Sequence, residues 1–195
     1  MIVTFYNHKV PQAVVEHQKM VYDHFGLDIN QVNVSNWETH GDAIDSFIQS
    51  TDFNQITIVD IDCIPINRFY FDKIKDLDGD CIYAVAQKAS HMPNSIIYAS
   101  PACMTFTKNI YTYLGSPSFR TTPRGDCGAE MTYLAREKGI EIRLLYPTHV
   151  EKEQWQLDGS IMFGLGTTYG DAIYHSFHAR WDYQRFLDKC KSIVK

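Results

Sequence analysis

The first apolar run, "MIVTFY" (Met1 to Tyr6), is β-branched and aromatic and predicts a strand. In "AVVEHQKMVYDHFG" (Ala13 to Gly26) the apolar positions fall at helical spacing, with Pro11 suited to the first turn and Gly26 to the stop. "QVNVS" (Gln31 to Ser35) alternates, which predicts a second strand. "HGDAIDSFIQS" (His40 to Ser50) has the pattern of a short amphipathic helix entered through Gly41, and "QITIV" (Gln55 to Val59) that of a third strand. A β-α-β-α-β run this short predicts a parallel, doubly wound sheet. The expected fold class is α/β, a Rossmann-like mixed and mainly parallel sheet flanked by helices.

The second half is less regular. "CIYAVAQ" (Cys81 to Gln87) and "ACMTFT" (Ala102 to Thr107) predict strands around a loop carrying His91, Met92 and Pro93. "KNIYTYLG" predicts a short helix ended by Gly115, and "SPSFRTTPRG" a loop. "DCGAEMTYLAREKG" (Asp126 to Gly139) reads as a helix with an acidic start and a basic end, as the helix dipole prefers. "IEIRLLYP" predicts a strand. The glycine-dotted stretch from His149 to Ala172 has the composition of a mobile loop. "IYHSF" predicts a last short strand, and "WDYQRFLDKCKSIV" a closing helix.

Chain length changes the picture little: 195 residues suit one domain, with residues 1–66 as one half and 67–195 as the other. Charge changes it more. The net charge is -5 and the Lys and Arg residues are scattered, without the clustered basic face of a nucleic-acid binder. A local groove built from Lys73, Lys75, Lys88, Lys108, Arg120 and Arg124 stays open as an expectation. The five cysteines are widely spaced and form no CxxC pair, which points to reduced thiols rather than a disulfide framework or a zinc site. No apolar run reaches transmembrane length, and a cytoplasmic location is expected.

The chemistry starts at "VDIDCIPI" (Val59 to Ile66), where the third strand ends in Asp60 and Asp62. In open α/β sheets, ligands bind beyond the carboxyl ends of the strands. Two carboxylates at one edge repel unless a cation or donor lies between them. Hard divalent cations take oxygen ligands and share them with substrate phosphates. The pair therefore predicts a clamp for a metal-bound diphosphate, with a plain turn as the bland alternative.

"VDIDCIPI" resembles the DxD motif of nucleotide-sugar glycosyltransferases of the A-type fold. The resemblance implies a nucleotide-sugar donor, most commonly a UDP-sugar, a Mn2+ or Mg2+ ion, and a hydroxyl acceptor such as a glycan, a protein or a modified DNA base. It implies that residues 1–66 are the nucleotide-binding half, and that Asp60 and Asp62 meet ribose and metal. A histidine near the C-terminus completes the metal site in such enzymes; "AIYHSFHAR" offers His175, the preferred ligand, and His178. "TFYN" (Thr4, Phe5, Tyr6, Asn7) is similar to the first strand whose end touches the base, although core packing is the default for Phe5. "HGDAID" resembles the helix start that lies against a uridine-like moiety, with His40, Gly41 for close approach, and Asp45 as an acceptor. A capped surface helix explains Asp42 and Asp45 equally well.

On the acceptor side the resemblance implies an acidic residue at a helix start, here in "RGDCGAE". Asp126 and Glu130 are the candidates, beside Arg124, and N-capping is the cheap explanation for Asp126. The glycines of "GLGTTYG" are expected to bring backbone amides to phosphates, and Arg180 to pair with the diphosphate. Trp155 and Trp181 offer a sugar-facing surface, with packing the better expectation for Trp181. Two other readings stand beside this one. A haloacid-dehalogenase-type phosphohydrolase also uses DxD, but after a first strand and with a lysine motif that has no counterpart here. A sugar-nucleotide-binding module without turnover is the third.

Overall fold

The computed structural model describes residues 1–35, 39–75, 81–92 and 95–195, so Pro93 lies outside the described residues. In chain order the elements are β1 (Ile2–Tyr6), α1 (Gln12–His24), β2 (Ile29–Asn33), α2 (His40–Ser50), β3 (Gln55–Val59), β4 (Cys63–Pro65), α3 (Phe69–Lys75), β5 (Cys81–Lys88), β6 (Ile97–Thr107), α4 (Lys108–Tyr113), α5 (Ala129–Glu137), β7 (Glu141–Leu145), β8 (Pro147–Asp158), β9 (Ile161–Tyr169), β10 (Ile173–His175) and α6 (Tyr183–Val194).

One sheet runs β2-β1-β3-β6-β5-β7. β1 is parallel to β2 and β3, β5 is parallel to β7, and β6 lies antiparallel between β3 and β5. It is thus the expected mainly parallel sheet, with one reversed strand. Its inner strands β1, β3, β6 and β5 are buried on both faces, so alternate residues feed two cores. Val3, Phe5, Ile56, Ile58, Ile82, Ala84 and Met104 pack with Ile44 and Ile48 of α2, Ile110 of α4 and Met131 of α5. Val59, Val85 and Cys103 face the other way, onto Val14, Val21 and Tyr22 of α1, Tyr70 of α3 and Phe186 of α6. Burial on both sides is why these strands read as nearly continuous apolar runs.

The second sheet, β4-β10-β9-β8, is antiparallel throughout. It corrects the expectation of a mobile loop between His149 and Ala172: that stretch is a long hairpin. β8 is exposed along most of its length and carries Glu151, Lys152 and Glu153, so it has no apolar alternation to detect. The glycines of β9 are packing positions, not phosphate cradles. A Cβ on Gly164 would stand 2.2 Å from the Lys152 carbonyl oxygen, and Gly166 has a φ of 68°. Residues 163–169 are buried.

Two helix starts also differ from expectation. Pro11 is the N-cap of α1 rather than its first-turn residue. Gly128, at φ 77°, caps α5, so Asp126 lies ahead of the helix and does not share a helical face with Glu130. The α2 start holds a capping box in which Thr39 and Asp42 bond reciprocally. Gly41 lets α2 touch the segment after α4: a Cβ there would meet the Phe119 carbonyl oxygen at 2.6 Å and the Arg120 nitrogen at 2.7 Å. Gly41→Ala is therefore expected to cost about 1–3 kcal/mol in urea unfolding, the usual range for overpacking. An unchanged midpoint would show that the contact is loose.

Candidate active site

The site grows from the turn after β3. The Asp60 amide donates to the Ala102 carbonyl, and the Cys63 amide closes a turn onto the Asp60 carbonyl, both at 3.0 Å. Gln18 of α1, fully buried, donates from Nε2 to the Asp60 and Cys63 carbonyls at 2.8 and 3.2 Å. The two aspartates thus sit on a pinned turn rather than on extended chain. β10 then runs beside β4, with His175 opposite Cys63. The Ser176 amide donates to the Asp62 carbonyl at 3.0 Å, and the Ala179 amide to Asp62 Oδ2 at 3.2 Å. A histidine more than a hundred residues downstream is fixed against the DxD by strand pairing.

His175 Nε2 lies 3.2 Å from Asp62 Oδ1 and 3.5 Å from Asp60 Oδ2. One ligand atom from each of the three residues lies within 4.8 Å of the other two. His40 Nε2 stands 3.8 Å from Asp60 Oδ1, on the far side of that carboxylate. Burial pushes the Asp60 carboxyl above its ordinary range against the pull of His175 and His40, and Asp62 and Asp126 push the same way. Asp62 goes the other way: burial would raise it, but the His175 charge and the donors of His175 and Ala179 hold it low. Burial would lower His175; the two aspartates outweigh it and raise it. Two oxygen donors and one imidazole nitrogen, with Asp62 and His175 buried and Asp60 partly so, suit a divalent cation.

These residues floor a cleft of about 540 Å³. Of the residues expected from sequence, Phe5, Tyr6, Asn7, His40, Asp60, Asp62, His175 and Arg180 line it. His178 lines it too, but lies outside the three-residue cluster. Others are elsewhere. Thr4 is wholly buried within β1. Gly41 faces the Phe119 backbone, as above. Asp45 accepts from Ser118 Oγ at 2.7 Å and from the Phe119 amide at 2.9 Å, which anchors that segment rather than facing the cleft. Trp181 is 77% exposed at the cleft edge, against the packing expected of it.

The acceptor-side candidates separate. Asp126 accepts from the Cys127 amide and from Thr121, and lies near enough to Asp60 to raise that carboxyl. Glu130 is held by Arg124 Nη2 at 2.6 Å and Thr122 at 2.8 Å. The Arg124 hydrogen bond is the main reason the Glu130 carboxyl titrates below its ordinary value, against some burial. A depressed carboxyl stabilises the fold above its unfolded value, about 4.3, and the gain is lost as pH falls through the folded value. Arg124 is 46% exposed, so Glu130→Gln is expected to cost roughly 1 kcal/mol or less at pH 7. The difference should close in acid, as read by urea unfolding at pH 7 and pH 3.

Sequence reasoning missed Gln87, Phe177 and the Ala179 amide. Gln87 had a signal like that of Asp60, a polar residue near the carboxyl end of an apolar strand. Phe177 had none: its ring stacks on His175 with centroids 3.8 Å apart, and both Phe177 and His178 take left-handed backbone, at φ 53° and 54°.

No family model matches the chain, and no curated protein does. Solved structures do. The catalytic domain of Drosophila β1,4-galactosyltransferase 7, in complex with xylobiose, superposes with a TM-score of 0.54 at 11% identity, over 93% of this chain and 71% of that one. The galactosyltransferase LgtC, with donor and acceptor sugar analogs, gives 0.50 at 10% identity, over 100% and 96%. The mannosyltransferase PcManGT from Pyrobaculum calidifontis, with GDP-Man and Mn2+, gives 0.51 at 10%, over 73% and 53%. This is the glycosyltransferase A-type fold. In the A-type fold of this chain the DxD turn, β10 and the cleft converge at the carboxyl end of β3. Among the described residues, no helix is long and apolar enough to cross a membrane.

Proposed function

We propose that this protein transfers a glycosyl group from a nucleoside-diphosphate sugar to a hydroxyl acceptor. The observation that carries the reading is the convergence of Asp60, Asp62 and His175 on the floor of the cleft beyond β3. These three residues hold the cation, Mn2+ or Mg2+, which when bound neutralises the charge of the leaving diphosphate. The base and ribose lie along Phe5, Tyr6 and Asn7, between the cleft-lining Val10, Val34 and Thr39. His40 stands between that region and Asp60. Arg180, which also lines the cleft, pairs with the diphosphate. Asp126 faces the acceptor hydroxyl, since Glu130 is already committed to Arg124. UDP is the proposed nucleotide.

The acceptor is proposed to be a glycan or protein hydroxyl rather than DNA. Five of the six cations considered for a groove are engaged locally. Lys75 pairs with Asp72, Lys73 lies over the Phe69 ring, and Lys108 donates to the Thr51 carbonyl. Arg120 pairs with Asp42, and Arg124 with Glu130 and Glu137. Phosphate binding draws on available Lys and Arg charge.

The test is turnover. UDP- and GDP-sugars are incubated with the protein and Mn2+, and nucleoside diphosphate is separated by anion exchange. Release from one nucleotide class, abolished by EDTA, is expected. Hydrolysis of a simple phosphate ester with no sugar-nucleotide turnover would overturn the reading in favour of a phosphohydrolase.

A further inference from the structure

Gln87 is 9% exposed and lies on β5, one residue from its end, where it also lines the cleft. Its Nε2 is 3.3 Å from His175 Nδ1, the ring nitrogen that faces away from Asp60 and Asp62. On the ring face, Phe177 stacks at 3.8 Å. Beside Gln87 and Thr167 lies the buried hydroxyl of Tyr169, close enough to both side chains to interact with them.

A histidine that gives its Nε2 lone pair to a cation must carry its proton on Nδ1, and that proton needs an acceptor. A half-turn of the Gln87 carboxamide exchanges its oxygen and nitrogen and puts Oε1 at Nδ1. The same half-turn presents the amide to Tyr169, whose hydroxyl can donate or accept and so tolerates either orientation. With Nε2 of Gln87 toward His175, the imidazole proton is on Nε2 and faces the carboxylates. With Oε1 toward it, Nε2 is free to ligate.

We infer that Gln87 is the positioning residue for His175: its carboxamide, gripping Nδ1, aims Nε2 at the cation held with Asp60 and Asp62. The inference rests on the metal-site reading above and adds which residue outside the ligand set tunes it. Outer partners of this kind typically govern metal affinity by 10–100-fold.

The experiment measures Mn2+ binding to the protein without nucleotide, from the loss of the free-ion electron paramagnetic resonance signal. It compares wild type, Gln87→Leu, Gln87→Glu and Asp62→Asn, with thermal unfolding as a check on folding. Gln87→Leu is expected to bind Mn2+ about 10–100-fold more weakly. Gln87→Glu keeps an acceptor at Nδ1 and is expected to bind at least as tightly as wild type. At saturating Mn2+, Gln87→Leu should recover kcat, with the sugar-nucleotide KM unchanged. Wild-type affinity in Gln87→Leu would overturn the inference, as would a Glu variant as weak as the Leu variant. A changed sugar-nucleotide KM at unchanged Mn2+ affinity would place Gln87 against the donor instead, and would equally overturn it. If wild type and Asp62→Asn bind Mn2+ alike, the metal-site reading itself fails and this inference with it; the Asp62→Asn arm keeps the two failures apart.

Discussion

Asp62→Asn is expected to lower sugar transfer by roughly 10³-fold or more while leaving a folded protein. Asparagine keeps the shape of the side chain and can still accept from the Ala179 amide, which contacts Oδ2 at 3.2 Å. What disappears is the charge opposite His175. A bound cation supplies several kcal/mol of charge stabilisation, and each 1.36 kcal/mol is tenfold in rate. The fold should persist because neither apolar core contains Asp62. Turnover near wild type with a normal unfolding transition would remove Asp62 from the chemistry.

The second large effect separates the two acceptor-side carboxylates. Asp126→Asn is expected to reduce kcat by roughly 10²–10⁴-fold, the usual contribution of a positioned acid or base. Nucleotide affinity in the presence of Mn2+ should stay near wild type, because Asp126 is not part of the three-residue cluster. Glu130→Gln should leave kcat within a few-fold of wild type, since the Glu130 carboxylate is already held by Arg124 and Thr122. The opposite pattern, with Glu130→Gln inactive and Asp126→Asn normal, would reverse the assignment. Steady-state kinetics at saturating metal measures both.

Legibility in the sequence followed burial. β1, β3 and β5 are buried on both faces, so composition alone marks them, and the helices between them have one apolar face each. Asp60 and Asp62 stood out because a largely apolar, buried strand ends in charge. His175 was harder, because its approach to Asp62 comes from the pairing of β10 with β4, a contact between residues far apart in sequence. The hairpin of β8 and β9 escaped for a different reason. β8 is exposed along most of its length, and Gly164 is there to admit the Lys152 backbone, so the stretch has the composition of a loop. Gly41 and Asp45 were expected to lie against a nucleotide, and instead they hold the segment after α4. Their partners, Ser118 to Arg120, lie more than seventy residues on, where no local pattern reaches. Asp126 was expected to begin its helix, but Gly128 in left-handed backbone takes the cap and leaves Asp126 in the approach to it.

The central claim is that one cation joins this cleft to a nucleoside diphosphate. Thermal unfolding with UDP, GDP and CDP, each in Mn2+ or EDTA, on wild type and Asp62→Asn, tests it most directly. A ligand at a hundred times its Kd stabilises the native state by about 2.7 kcal/mol. The prediction is a clear upward shift in Tm with one nucleotide, UDP on the present reading, seen in Mn2+, absent in EDTA and absent in Asp62→Asn. An equal shift in EDTA or in the variant, or no shift with any nucleotide, would contradict it.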